Sequence, residues 1–241
     1  MTSCLSTNRR TFLQFSSGLI GTGWGLFQTD EGRRRLSWRT GVAGSAASPT
    51  VVDGVVYSGA TGGGLFAMDA IAGDVRWENE SIPSIKNWTA PAVANGLCYL
   101  KTGGTVYAVD KEIGVIEWES TDAGSGQISP TVWKDTCYLG GGDGVYALDA
   151  FTGEFLWQND EMEGPVRSKI TIDGDRCFCN AIRTVVCLDS QTGEMLWRTH
   201  DGGDGGRNRI PSSPIVYGNA LIVGEGGENK AKIHSLDVKT W

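Results

Sequence analysis

Four segments of this chain share one spacing, Asp-x-x-x-Gly-x-x-x-Trp: Asp69–Gly73–Trp77, Asp110–Gly114–Trp118, Asp149–Gly153–Trp157 and Asp189–Gly193–Trp197. The tryptophans stand 41, 39 and 40 residues apart. Self-similarity at a fixed period near forty marks a repeat array. Each unit of such an array is too small to bury both of its faces, so neighbours must stack.

The repeat extends beyond the motif. Ser48-Pro49-Thr50-Val51-Val52-Asp53-Gly54-Val55-Val56-Tyr57 recurs from Ala90 to Tyr99 and from Ser129 to Tyr138. Weaker copies run from Ser168 to Phe178 and from Ser213 to Ile222. In the first unit Pro49 to Val52 suits a strand, and Asp53-Gly54 is a strong two-residue turn signal. Val55 to Ala60 suits a second strand, rich in β-branched and aromatic residues. Thr61-Gly62-Gly63-Gly64 breaks the run. Leu65 to Asp69 then reads as a third strand, and Asp74 to Glu78 as a fourth. Four strands per forty residues make one propeller blade. The expected fold is an all-β propeller of four-stranded antiparallel blades, with about five blades present and the last incomplete.

The motif has a mechanical reading. The Asp carboxylate accepts backbone N–H bonds of the following turn, and Gly supplies the positive φ that turn needs. Two residues before each Asp stands a short side chain: Ala67, Ala108, Ala147, Cys187 and, in the fifth unit, Ser235. A short residue leaves room for the tryptophan between blades, where burying one indole stabilises by roughly 3 kcal/mol. The Asp, Gly and Trp residues are therefore expected to be scaffold, not catalytic groups.

The stretch Ala147-Leu148-Asp149-Ala150-Phe151-Thr152-Gly153-Glu154-Phe155-Leu156-Trp157 resembles the tryptophan-docking motif of pyrroloquinoline-quinone (PQQ) repeat propellers. The resemblance covers about residues 36 to 241. It implies seven or eight blades in a whole ring, and a family that holds both quinone-dependent dehydrogenases and non-catalytic envelope proteins. Trp24-Gly25-Leu26-Phe27-Gln28-Thr29-Asp30 is similar to the segment that precedes the first blade in that family. Leu36 to Thr40 then reads as a lone outer strand, with Trp38 in register 39 residues before Trp77. The fifth unit runs Ser235-Leu236-Asp237-Val238-Lys239-Thr240-Trp241, without the glycine and fourth strand of the others. Either the Trp38 strand completes this blade in a small closed ring, or the array is a piece of a larger propeller. The second is favoured. An open array exposes an apolar blade face and unpaired edges, so self-association is expected.

Arg9 and Arg10, within Asn8-Arg9-Arg10-Thr11-Phe12-Leu13-Gln14, resemble a twin-arginine export signal, followed by a short apolar stretch from Phe12 to Ile20. Residues 1–23 are read as that signal, 24–44 as the leading segment and lone strand, and 45–241 as repeats at about 45–82, 86–121, 125–161, 165–201 and 209–241. The stretch from Phe12 to Ile20 is too short and too polar to span a bilayer permanently. The chain is therefore expected to be exported, extracytoplasmic or at the cell surface, without a transmembrane span. A net charge of −7 argues against nucleic acid as partner.

Cys98, Cys137 and Cys177 occupy one place in successive units. Stacked sheets lie about 10 Å apart, and a disulfide needs Cα atoms within about 7 Å. These three are read as small apolar strand residues. No cysteine spacing resembles a zinc site. His200 and His234, the only histidines, have no partner motif. Asp201 and Asp204, in a Gly-rich run, are weak candidates for a cation. No cofactor is expected; PQQ and Ca²⁺ belong to the alternative, an alcohol or sugar dehydrogenase. The adjacent cysteine pair of many such enzymes and a Cys-x-x-Cys-His haem site do not occur. A protein, a peptide or another anionic ligand is the expected partner. Its surface would be a rim of interblade and second-to-third-strand loops carrying Lys86, Trp88, Lys101, Arg167, Arg183 and Arg209. The expected function is an exported, non-catalytic interaction scaffold.

Overall fold

The computed structural model of the chain describes residues 37–238, apart from 43, 45, 86–88, 122, 127, 163, 183, 200–211 and 227–230. Among these residues every regular element is a strand. Blade 1 is β1 (Thr50–Val52), β2 (Val55–Gly59), β3 (Leu65–Asp69) and β4 (Val75–Asn79). Blade 2 is β5 (Ala92–Ala94), β6 (Leu97–Thr102), β7 (Thr105–Asp110) and β8 (Ile116–Ser120). Blade 3 is β9 (Thr131–Trp133), β10 (Thr136–Gly140), β11 (Val145–Asp149) and β12 (Phe155–Asn159). Blade 4 is β13 (Thr171–Asp173), β14 (Arg176–Ala181), β15 (Thr184–Asp189) and β16 (Met195–Arg198). Blade 5 holds β17 (Ile215–Tyr217), β18 (Ala220–Glu225) and β19 (Lys232–Asp237). Each sheet is antiparallel in simple chain order, so four full blades and a partial one make up the propeller array.

Local chemistry explains the strands. Asp53 and Gly54 both take positive φ, 50° and 75°, the backbone of a type I′ hairpin whose twist matches its flanking strands. It sets the register Val52↔Val55 and Thr50↔Tyr57. The third and fourth strands of each full blade slip register immediately after Ala67, Ala108, Ala147 or Cys187. That bulge bends the outer strand. It leaves the short side chain opposite the indole, in the pairs Ala67↔Trp77, Ala108↔Trp118, Ala147↔Trp157 and Cys187↔Trp197.

The core is a series of seams, one between each pair of neighbouring blades. Val55, Tyr57, Leu65, Ala67 and Trp77 of blade 1 meet Cys98, Leu100, Tyr107 and Val109 of blade 2. The next seams repeat this plan with Tyr99 and Trp118, Tyr138 and Trp157, and Phe178 and Trp197. Strand alternation sends odd and even positions to opposite neighbours. The central strands are therefore buried on both faces, as β2, β6, β10, β14 and β15 show. The first strands lie side by side, β1 by β5, β5 by β9 and β13 by β17. Their threonines tie the blades together: the hydroxyls of Thr50, Thr131 and Thr171 donate to the carbonyls of Pro91, Ile170 and Pro214. No helix among the described residues is long and apolar enough to cross a membrane.

Candidate functional site

The motif residues converge at the outer end of each seam. The Oδ1 of Asp69 accepts the N–H groups of Ile71 and Ala72, both at 2.9 Å. Asp110 does the same for Glu112 and Ile113, Asp149 for Phe151 and Thr152, and Asp189 for Gln191 and Thr192. The Ala72 N–H, the Arg76 guanidinium and the Ile71 N–H hold the Asp69 carboxyl down at about 2. The Thr192 N–H leads the same downward shift at Asp189.

Each indole then crosses to the next blade's turn. Trp38 Nε1 donates to the Ala70 carbonyl at 3.1 Å, Trp77 to Lys111 at 2.9 Å, Trp118 to Ala150 at 3.0 Å and Trp157 to Ser190 at 3.1 Å. The rings lie against Gly73, Gly114, Gly153 and Gly193 in turn; a Cβ on Gly153 would stand 2.5 Å from Trp118 Cε3. Trp197 is buried in the seam with Leu221, Val223 and Val238.

A second layer was not visible as a motif. Tyr57, Tyr99 and Tyr138 tilt against Trp77, Trp118 and Trp157 with centroids 6.0–6.1 Å apart. Their hydroxyls donate to the same carbonyls as the indoles, Lys111, Ala150 and Ser190. Burial pushes the phenols above their usual range, Tyr57 to about 12. Asn79 and Asn159 donate to the carbonyls of Gly114 and Gly193, and Thr40 to that of Gly73. The sequence signal was the recurrence of Tyr or Phe at one place in four units.

The rim reading needs correction at Lys101. It is wholly buried. Its Nζ donates to the carbonyls of Ala123 at 2.5 Å and Gly140 at 3.0 Å, with the Tyr146 ring centroid 5.9 Å away. The physical reason is that these two carbonyls take the place of water around the amine. Gly140 holds the equivalent place in blade 3. The residue thus cannot meet a partner. Asn180, in the same place in blade 4, is also buried and donates to the Ser212 carbonyl. Arg167 is exposed. Lys86, Trp88, Arg183 and Arg209 lie outside the described residues, as do Asp201, Asp204, His200, Arg9 and Arg10.

Burial lowers the Lys101 pKa from 10.5 to about 8, against the pull of Asp143. Between those values the unfolded chain binds more protons than the folded one, so this group adds stability as pH rises. Raised phenols and thiols oppose it, and comparison with Lys101→Met isolates the lysine. From pH 8 to 10.5 the wild type should gain about 2–3 kcal/mol relative to Lys101→Met, read from urea midpoints. A difference that stays flat with pH refutes the burial of a charged amine.

The thiols of Cys98, Cys137, Cys177, Cys179 and Cys187 are free and buried. Burial pushes them up, Cys137 and Cys179 to about 12, where thiolate is scarce and reactivity low. His234 Nε2 meets Glu225 Oε2 at 2.5 Å. Among the described residues no three His, Cys, Asp or Glu side chains gather as a metal site.

The turn tips present a different surface. Ile71, Ile113 and Phe151 stand exposed on the third-to-fourth-strand turns of three successive blades, 87%, 64% and 51% accessible. Val75, Val115, Phe155 and Leu196 are exposed at or beside the start of the outer strands. None of these side chains is needed by the Asp turn, which is closed by backbone N–H groups.

Comparison with known proteins places this geometry. A family model described as "Outer membrane protein assembly factor BamB" matches residues 26–144 and 124–240. The outer membrane protein assembly factor BamB of Moranella endobia (strain PCIT) is 38% identical over 73 residues, 30% of this chain and 18% of that protein. Among solved structures, a europium-containing methanol dehydrogenase superposes with a TM-score of 0.66 at 16% identity, over 86% of this chain and 52% of that one. BamB from Moraxella catarrhalis superposes with a TM-score of 0.51 at 19% identity, over 82% and 74%. The two structural likenesses concern the fold alone. The chain thus spans about half of the dehydrogenase and a small part of the sequence relative. The family model covers most of the chain, and the chain belongs to this PQQ-repeat β-propeller family, the one described as outer membrane protein assembly factor BamB.

Proposed function

We propose that this chain is a non-catalytic interaction scaffold of the cell envelope, exported through its Arg9-Arg10 segment, and that its partner is a protein. Membership of a family described as an assembly factor supports the class. The observation that carries the reading is the line of apolar turn tips, Ile71, Ile113 and Phe151, repeated on successive blades and held rigid by the Asp turns. Scattered apolar residues on a surface need no explanation. Apolar residues recurring on adjacent rigid turns form a patch, and such patches mark protein interaction sites. The Asp, Gly and Trp residues serve to hold that surface. No cofactor takes part in this reading.

A photoreactive amino acid at position 113 is expected to give a discrete protein adduct in the envelope fraction of the native host. Changing Ile71 and Phe151 to Glu should abolish that adduct while the thermal melt stays within about 2 °C, as exposed substitutions do. The dehydrogenase alternative is tested by adding PQQ and Ca²⁺ with alcohols or aldoses and following dye reduction. Turnover there overturns the scaffold reading.

A further inference from the structure

The third-to-fourth-strand turns are tied to the first-to-second-strand turns in every full blade. Ala70, Lys111, Ala150 and Ser190 donate their N–H groups to the carbonyls of Gly54, Gly96, Asp135 and Asp175 at 2.8–3.0 Å. Neighbouring blades are joined as well. Asn95 Nδ2 donates to the Lys134 carbonyl at 2.7 Å, and Lys111 Nζ meets Asp53 Oδ2 at 3.4 Å. Eight turns thus share one end of the array, and all of their residues are described. Blades 2 and 3 have a neighbour on each side, so what they expose at this end is set within the array.

Two kinds of side chain dominate here. Ile71, Ile113 and Phe151 are apolar tips. Trp133 adds a fourth apolar group, 44% exposed at the end of β9, beside the turn whose Asp135 carbonyl holds the Ala150 N–H next to Phe151. Around them the charge has one sign. The first-to-second-strand turns expose Asp53, Asp135 and Asp175, and the third-to-fourth-strand turns expose Asp74, Glu112, Glu154 and Glu194. Against these seven carboxylates the turns carry two lysines. Lys111 is already paired, 3.4 Å from Asp53 and 3.7 Å from Glu112, and Lys134 is exposed. The opposite end is mixed: among its described residues Arg167 and Lys169 are exposed beside Glu80, Asp160 and Glu161.

An apolar patch rimmed by charge of one sign suits a partner with apolar side chains at its centre and the opposite charge around them. We propose that this end docks a protein segment in which basic side chains flank apolar ones. Ile113, Trp133 and Phe151 form the contact centre, and Glu112, Asp135 and Glu154 its charged rim. The inference rests on the scaffold reading and adds the chemistry of the partner. Tryptophan is prominent among the residues that dominate binding at such centres. The carboxylates steer the basic partner, and their pull fades as salt rises. The Asp turns fix the backbone beforehand, so this side has little order to gain on binding. An anionic ligand or an anionic lipid surface is repelled here, the reverse of the sign expected for the loop rim at the other end.

The test uses the full chain and two labelled peptides of equal apolar content, Lys-Leu-Lys-Phe-Lys-Leu-Lys and Glu-Leu-Glu-Phe-Glu-Leu-Glu, read by fluorescence anisotropy. At low salt the basic peptide should bind about tenfold more tightly than the acidic one, and lose about tenfold on raising salt to about 300 mM. Glu112→Gln, Asp135→Asn and Glu154→Gln together should weaken it about tenfold. Glu80→Gln, Asp160→Asn and Glu161→Gln make the same change of net charge at the opposite end and should leave binding within about twofold. Trp133→Ser should weaken it about tenfold with an unchanged circular dichroism spectrum. No binding of the basic peptide up to about 1 mM overturns the proposal, as do equal binding of the two peptides and equal losses from the two neutralised sets. Sedimentation with phosphatidylglycerol vesicles that Trp133→Ser abolishes also overturns it, by making this end a lipid surface. An adduct at position 113 that survives the triple neutralisation rejects the basic partner and leaves the scaffold reading standing, whereas an absent adduct rejects the scaffold reading itself.

Discussion

Replacing Trp118 by alanine is expected to destabilise the protein by about 3–5 kcal/mol, the usual cost of deleting a large buried aromatic. The indole is 8% exposed and sits between blades 2 and 3 with Tyr99, Leu139 and Leu148. Its removal opens a void bordered by the Gly153 turn, which has no side chain to fill it. Trp118→Phe should cost less, about 1–2 kcal/mol. The phenyl ring still covers the seam, and the Ala150 carbonyl keeps the Tyr99 hydroxyl as donor at 3.1 Å. Urea unfolding of the three proteins decides the matter. An alanine variant losing less than about 1 kcal/mol would show that this seam does not hold the array together.

Gly153→Ala is expected to cost far more than Gly54→Ala, although the two glycines share nearly the same backbone, φ 73° and 75°. An alanine at either place pays left-handed strain of about 1–2 kcal/mol. A Cβ at Gly54 meets nothing within 4 Å, whereas at Gly153 it meets Trp118 Cε3 at 2.5 Å and Cδ2 at 2.7 Å. The indole is held by its bond to Ala150 and by Tyr99, so it cannot move aside without loss. Displacing it adds an overpacking cost of about 1–3 kcal/mol. The difference between the two midpoints in one urea series therefore reports the ring contact alone. Equal losses would assign the whole effect to backbone strain and remove the glycine–indole contact from the account.

The four-stranded blade was legible because its punctuation is local. Asp53-Gly54 forces a hairpin whatever surrounds it, and the short apolar runs of Val55–Gly59 and Leu65–Asp69, bounded by turn residues, set strand length. Repetition supplied the rest: one unit is ambiguous, but five copies at one spacing fix stacking. The double role of the Lys111, Ala150 and Ser190 carbonyls was not legible. Each accepts from a tyrosine 51 to 54 residues earlier and from a tryptophan 32 to 34 residues earlier, and no local pattern pairs such residues.

Lys101 shows why the rim was misread. A lysine near a strand end ordinarily ends in water. Its fate was set by the carbonyls of Ala123 and Gly140, 22 and 39 residues on, which replace water around the amine. The exposed turn tips pose the opposite case. Nothing in the sequence singles out Ile71, Ile113 and Phe151, and only the folded turns leave them exposed.

The amino-acid sequence alone determined the blade, its strand order and the number of units, because turn residues and short apolar runs act between near neighbours. The folded array alone decided which polar groups are consumed in seams and which apolar groups face solvent. Those outcomes depend on what the adjacent sheet presents at about 10 Å, a distance in space that no distance along the chain encodes.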